Sequence, residues 1–197
     1  MKVRRTAPIL LLLLCCGCSF LSRSHSRFFS LERIPPEKAV AGTLTGTPVG
    51  IGVVELPPGM DRKEIVVRDA GNQLLVRETD QWTALLEPMV LHTLAFDLAG
   101  RLPEGAVILP GQEKPAGASR SIDVIFGDLA AGPGPTVVLD AHWSLRGSGA
   151  DATATARHER ITIDLPSLES AAVAEGLSRA IAALADRMAE QVIARSQ

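Results

Sequence analysis

The chain has 197 residues, 46% of them hydrophobic, which is enough for one domain with a proper core. Twenty basic and 22 acidic side chains leave a net charge of −2, so there is no basic field of the kind a nucleic-acid surface needs. Tyrosine is absent and aromatic content is only 4%, which argues against a carbohydrate or base-stacking platform.

The N-terminus carries Lys2, Arg4 and Arg5, then the apolar run Ile9 to Leu14, then Cys15, Cys16, Gly17 and Cys18. A basic start, a short apolar core and a small residue before the cut make a secretory signal. The run falls short of the roughly 18–20 residues that span a bilayer as a helix. Only Cys18 follows a glycine, so it is the expected lipid acceptor, with residues 1–17 as the lipoprotein signal peptide. An ordinary signal peptide cut elsewhere, leaving Cys18 a free thiol, is the alternative. Loss of Lys2, Arg4 and Arg5 leaves 17 basic against 22 acidic residues, net −5, which disfavours docking on anionic headgroups. The acyl chains, three in all including palmitate-type groups, hold the membrane instead. With all cysteines in the first eighteen residues, the mature chain keeps no disulfide, thiol nucleophile or thiolate metal site. Ser19 stands where an aspartate commonly retains Gram-negative lipoproteins in the inner membrane, which favours the outer membrane.

Residues 18–45 read as lipid anchor and flexible tether, rich in serine, proline and glycine, with Phe28, Phe29 and Leu31 as a candidate short strand. Residues 46–197 read as a single globular domain. Residues 48–55 form a strand with one very small face, ended by the turn Leu56-Pro57-Pro58-Gly59. Two short strands, at 65–68 and 73–77, flank the hairpin dipeptide Gly71-Asn72. Asp80 is the expected cap of a helix carrying Leu85, Leu86, Met89, Val90, Leu94, Leu98 and Leu102 at helical spacing. Pro88 inside it either kinks it or marks its true start. A strand near 106–109 follows.

Ile122, Val124 and Phe126 alternate, and after the loop Gly132-Pro133-Gly134-Pro135 a clean alternation sets Val137, Leu139, Ala141, Trp143 and Leu145 against Val138, Asp140, His142, Ser144 and Arg146. That is a strand with one buried and one polar face, and it puts Trp143 in the core. Ile161, Ile163 and Leu165 give another strand. Pro166-Ser167 starts the last helix, with Ser167 as cap and Leu177, Ile181, Leu184, Met188 and Val192 as its apolar stripe. The order predicts an α/β or α+β two-layer sandwich, a mixed, largely antiparallel sheet packed by two main helices.

Chemistry is scarce. Gly50-Ile51-Gly52 lacks the third glycine and the helix of a dinucleotide fingerprint. There is no G-x-S-x-G elbow and no phosphate loop. Ser148 and Ser170 have no base beside them in sequence. His25 lies in the expected tether, and His92 sits on a helix without a ligand at metal spacing. Asp140 and His142 share one strand face, with His158 nearby; an exposed polar face accounts for them better than a metal site. Glu78, Asp80 and Glu87 offer an acid–base pair on paper, but capping and solvated charge explain them more simply. No catalytic residue, metal or cofactor is assigned.

Longer stretches carry a resemblance. Phe28-Phe29-Ser30-Leu31, then Val53-Val54-Glu55-Leu56-Pro57, Asp61-Arg62, Ile65-Val66-Val67-Arg68, Asn72-Gln73-Leu74 with Glu78 and Trp82, the leucine-rich helix to Leu102 and Leu139-Asp140-Ala141-His142-Trp143 follow one another in order. Together they resemble the ABC-type transport auxiliary lipoproteins, the family of the lipoprotein subunit of the paraquat-inducible system. Pro88 departs from the family's pattern and puts the start of the first helix in question. The resemblance implies a non-catalytic accessory. It would be anchored at the outer membrane and would serve an envelope-spanning lipid-transport assembly with an inner-membrane permease and a periplasmic protein of the MCE (mammalian cell entry) type. The partner-contact surface is expected at the stiff turn around Pro57, Asp61 and Arg62, where a local salt bridge or helix cap is the plainer reading of the last two. A homo-oligomer would match ring-forming partners. A regulator of a cell-wall enzyme, and a hydrolase or carrier of a small apolar ligand, are the rival classes.

Overall fold

A computed structural model describes residues 25–36, 47–113, 120–147 and 154–194. Cys18, the expected signal peptide, residues 18–24 and 37–45 of the expected tether, and Ser148 lie outside the described residues. Among the described residues, eight strands and two helices follow in the order β1 (Arg27–Phe29), β2 (Val49–Glu55), β3 (Glu64–Arg68), β4 (Leu74–Trp82), α1 (Leu86–Arg101), β5 (Val107–Ile108), β6 (Arg120–Ala131), β7 (Thr136–Arg146), β8 (Thr155–Asp164) and α2 (Ser170–Ala194). The architecture is the expected α+β sandwich: one mixed sheet covered on one face by two helices.

β6 is the axis of the sheet. On one side it pairs antiparallel with β7, which pairs antiparallel with β8. On the other side its first half pairs parallel with β2, and Ala131 near its end meets Val67 of β3. The sheet therefore forks. One arm runs from β2 to β5, the other from β3 through β4 to β1. The alternation read from sequence sets the faces. Ile122, Val124 and Phe126 of β6 and Leu139, Ala141, Trp143 and Leu145 of β7 are buried toward the helices, Trp143 at 2% exposure. The opposite face of the same strands carries Asp123, Ile125, Asp140, His142 and Ser144, none of them buried.

α2 lays its expected stripe, Leu177, Ile181, Leu184, Met188 and Val192, into the core. At Gly176 a methyl group would overlap Leu165 Cδ2 and come within 3.1 Å of Val137 Cγ2, so the glycine lets the helix backbone sit down on the sheet. The expected start at Pro166-Ser167 is too early. Ser167 Oγ accepts the Glu169 N–H (3.2 Å), and the helix begins at Ser170.

The start of α1 differs more. Asp80 does not cap it, because β4 runs on to Trp82 and holds Asp80 inside the strand. There the buried carboxylate accepts both Arg27 Nε (2.7 Å) and Arg27 Nη2 (2.6 Å), and the Ser170 hydroxyl at 2.5 Å. These partners hold its pKa below the ordinary carboxylate value, the Arg27 hydrogen bond contributing most. The helix opens at Leu86, with Leu85 as an N-cap whose side chain makes no capping bond. Pro88 is then the third helical residue, where an N–H has no intrahelical acceptor to lose, so it marks the start and does not kink the helix.

Part of the expected tether is folded. Arg27 to Phe29 pair in parallel with Asp80 to Trp82, which is the short strand read at Phe28-Phe29. Beyond it the chain crosses both helices as a strap. Glu32 N–H donates to Ser178 Oγ (3.0 Å), and Ile34 N–H to Asp97 Oδ1 (2.9 Å). Among the described residues no helix is long and apolar enough to cross a membrane.

Candidate partner-binding surface

The turn after β2 is built on its own backbone. Met60 N–H donates to Pro57 O (3.1 Å), Arg62 N–H to Met60 O (2.9 Å), and the Met60 side chain is buried beneath the turn. Gly59 sits at φ +82°, a conformation that favours glycine. Pro57 is half-buried, while Pro58, Gly59 and Asp61 are exposed. Asp61 and Arg62 do not pair with each other. Asp61 Oδ1 accepts the Glu87 N–H (2.9 Å) and so caps α1 from outside the helix. Arg62 Nε donates to Glu64 Oε2 (2.9 Å), which holds the Glu64 carboxyl below its ordinary range, that hydrogen bond being the main cause.

Beside this turn lies an apolar patch that the sequence reading did not anticipate. Leu74, Leu75 and Val76 of β4 are 41%, 48% and 38% exposed, although Ile65, Val66 and Val67 on the partner strand β3 are buried. The cause is topology. One side of β4 pairs with β3 over Leu74 to Arg77, but β1 covers the other side only at Asp80 to Trp82. Among the described residues, nothing pairs with that outer edge at 74–79. A methyl group on Gly59 would touch Leu74 Cδ1 at 3.9 Å, so the turn and the strand are continuous. Leu85, 43% exposed, stands at the start of the helix that Asp61 caps. Leu, Leu and Val on an open strand edge, flanked by a proline-stiffened turn, make a surface suited to another polypeptide.

The paper candidates for acid–base chemistry are not assembled. Asp80 is sealed in its ion pair, Glu78 is exposed, and Glu87 is half-buried at the head of α1. Ser170 donates to Asp80 and also accepts Arg77 Nη1 (2.7 Å), so its hydroxyl is a structural link. His92 packs against Phe96 on the same helix, ring centroids 4.5 Å apart.

On the helix-free face of the sheet, Asp140, His142 and His158 do come together. His142 and His158 are directly opposed on β7 and β8, with their rings stacked at 4.4 Å and 11°. Asp140 Oδ1 lies 3.0 Å from His158 Nε2, and Oδ2 accepts Arg160 Nη1 (2.8 Å). Desolvation works to raise the Asp140 pKa, but the hydrogen bonds from His158 and Arg160 outweigh it and hold it below the ordinary value.

An open groove of about 560 Å³ runs between α2 and the strap, lined by Ile34, Pro36, Ile163 and Ile193. Its floor carries the Arg101–Asp186 ion pair, Nε to Oδ1 at 2.5 Å. This charged floor, supported by Asp97 from the preceding turn of α1, had no sequence signal beyond the four-residue spacing of Asp97 and Arg101.

The family model of the ABC-type transport auxiliary lipoprotein component matches residues 29–189. No functionally curated protein is significantly similar to the chain. Among solved structures, the crystal structure of an uncharacterized protein superposes with a TM-score of 0.70 at 13% identity, covering 85% of this chain and 99% of that one. A crystal structure of a Xanthomonas campestris protein superposes with a TM-score of 0.66 at 14% identity, covering 86% of this chain and 95% of its own. These two likenesses concern the fold.

Proposed function

Because this chain belongs to the ABC-type transport auxiliary lipoprotein family, we propose that it is an accessory which acts by contact and not by catalysis, anchored at the outer membrane through lipidated Cys18 and binding an MCE-type periplasmic transport protein. In this reading it serves lipid transport and membrane integrity, and works as a homo-oligomer whose symmetry suits a ring-forming partner. The observation that carries the contact reading is the open edge of β4, where Leu74, Leu75 and Val76 stand exposed beside the Pro57 turn. Extended backbone edges recruit a partner strand through main-chain hydrogen bonds, and exposed apolar side chains add affinity. Asp61 and Arg62 form the rim of that surface, each already tied to its own neighbour, so they shape the turn for the partner more than they grip it.

The test uses the exposed stretch Leu74 to Val76 of β4. A photo-crosslinking residue at position 75 of the lipidated protein in intact envelopes should yield an adduct with an MCE-type protein. Leu75→Asp should abolish that capture with an unchanged circular dichroism spectrum. Capture of a peptidoglycan synthase instead would favour the cell-wall regulator, and undiminished capture by Leu75→Asp would move the interface elsewhere. Cys18→Ala should leave unprocessed or soluble protein; normal processing and recovery in the outer membrane would overturn the anchor.

A further inference from the structure

We propose that Asp140, His142 and His158 form a binding site for one divalent metal ion of the zinc class on the helix-free face of the sheet. Three ligand-bearing side chains converge there, and their donor atoms all lie within 4.8 Å of one another. The strand pairing explains why. Asp140 and His142 are two residues apart on β7 and share a face, and His158 is the cross-strand partner of His142 on β8. Two long antiparallel strands thus fix all three Cα positions without help from a loop.

The donor set, two imidazole nitrogens and one carboxylate oxygen, is the class that binds zinc, copper, nickel and cobalt ions rather than calcium or magnesium. With metal–ligand bonds of about 2.0–2.1 Å, tetrahedral donors stand about 3.4 Å apart. Asp140 Oδ1 and His158 Nε2 are already at 3.0 Å. The stacked rings are parallel, so their in-plane lone pairs do not yet meet at one point. Coordination requires the exposed His142 ring to rotate about its own side-chain bonds, at the loss of the stacking contact.

The surroundings pre-position the carboxylate. Arg160 holds Asp140 Oδ2, which fixes the carboxylate and leaves Oδ1 to coordinate, the role of an outer-shell partner. The bulge in β6 puts Gly127 opposite. A methyl group there would stand 3.3 Å from Asp140 Oδ1, so the glycine keeps the space above that oxygen open. Three protein ligands leave the remaining position to water or to a side chain from another molecule.

The experiment is zinc titration calorimetry on the full lipidated chain in detergent with any affinity tag removed, paired with the electron paramagnetic resonance spectrum of the copper(II) form. One ion per chain is expected, with a copper spectrum showing two nitrogen donors. Asp140→Asn, His142→Gln and His158→Gln should each weaken zinc binding at least tenfold with unchanged circular dichroism, whereas His25→Gln and His92→Gln should not. Gly127→Val, which crowds the ligand oxygen Asp140 Oδ1 while leaving all three ligand side chains in place, should weaken it too. Absence of binding, or binding that survives the double variant His142→Gln/His158→Gln, would overturn the site.

Discussion

Asp97 holds its carboxyl where burial opposes ionisation. It is 2% exposed, it accepts the Ile34 N–H on Oδ1, and its Oδ2 meets no hydrogen-bond donor among the described residues. Arg101 Nη1 stays 3.9 Å away, spending its own strong bonds on Asp186 and on the carbonyls of Ile34 and Asp97. Desolvation pushes the Asp97 carboxyl up to about 6, against the Ile34 amide and Arg101, which pull it down. A folded-state pKa above the ordinary 3.8 means that the native protein binds this proton more tightly than the unfolded chain does. Its contribution is therefore most favourable below 3.8 and is lost as the pH rises to about 6. Asp97→Asn should flatten that part of the stability–pH curve and raise the melting temperature at neutral pH, as read by thermal unfolding across the window. An unchanged slope would show that the carboxylate is ionised throughout. Asp80 behaves in the opposite sense. Its pKa is held down by Arg27, so its contribution is present above 3.8 and lost in stronger acid. Neither role was legible in the sequence. Asp80 looks like a helix cap because a leucine-rich helix follows, and nothing local announces an arginine 53 positions away.

Elements were legible where one face meets the core and the other meets solvent. β7 reads directly from Val137 to Arg146, and the α2 stripe reads from Leu177 to Val192. Starts of helices were less legible because their caps come from elsewhere. α1 has no capping side chain of its own, and the Glu87 N–H is taken by Asp61 from a turn 26 residues earlier. Asp61→Ala should cost about 0.5–2 kcal/mol, the usual range for a lost helix cap. Arg62→Ala should cost much less, since its ion pair with Glu64 is partly solvated. Urea unfolding of the two single variants measures the difference, and equal costs would mean that the Asp61 contact contributes nothing. The turn's prolines and charges were visible in sequence, but the exposure of Leu74 to Val76 was not. An apolar run beside a hairpin reads as buried, and only the pairing register, in which β1 reaches no further than Asp80 to Trp82, reveals that this stretch is left at an edge.

At the scale of the whole molecule, the forked sheet is gathered by the N-terminal segment. Residues 25–36 reach β4 through Arg27 and Asp80, α1 through Ile34 and Asp97, and α2 through Glu32 and Ser178. One segment thus ties three elements that are distant in sequence. A chain beginning at residue 37 should melt below the chain beginning at residue 19, in a single cooperative transition measured by calorimetry. Equal melting temperatures would mean that the segment rests on the domain without stabilising it.

That segment also bears on altitude. With Cys18 lipidated as proposed, the chain between the bilayer surface and the first described residue, His25, extends at most about 25 Å. A 28-residue leash would let the domain roam across the periplasm; this one moors it like a buoy on a short line. If Cys18 is the anchor, the Arg27 end stays within about 30 Å of the headgroups, and a partner that binds near it would meet this chain at the membrane.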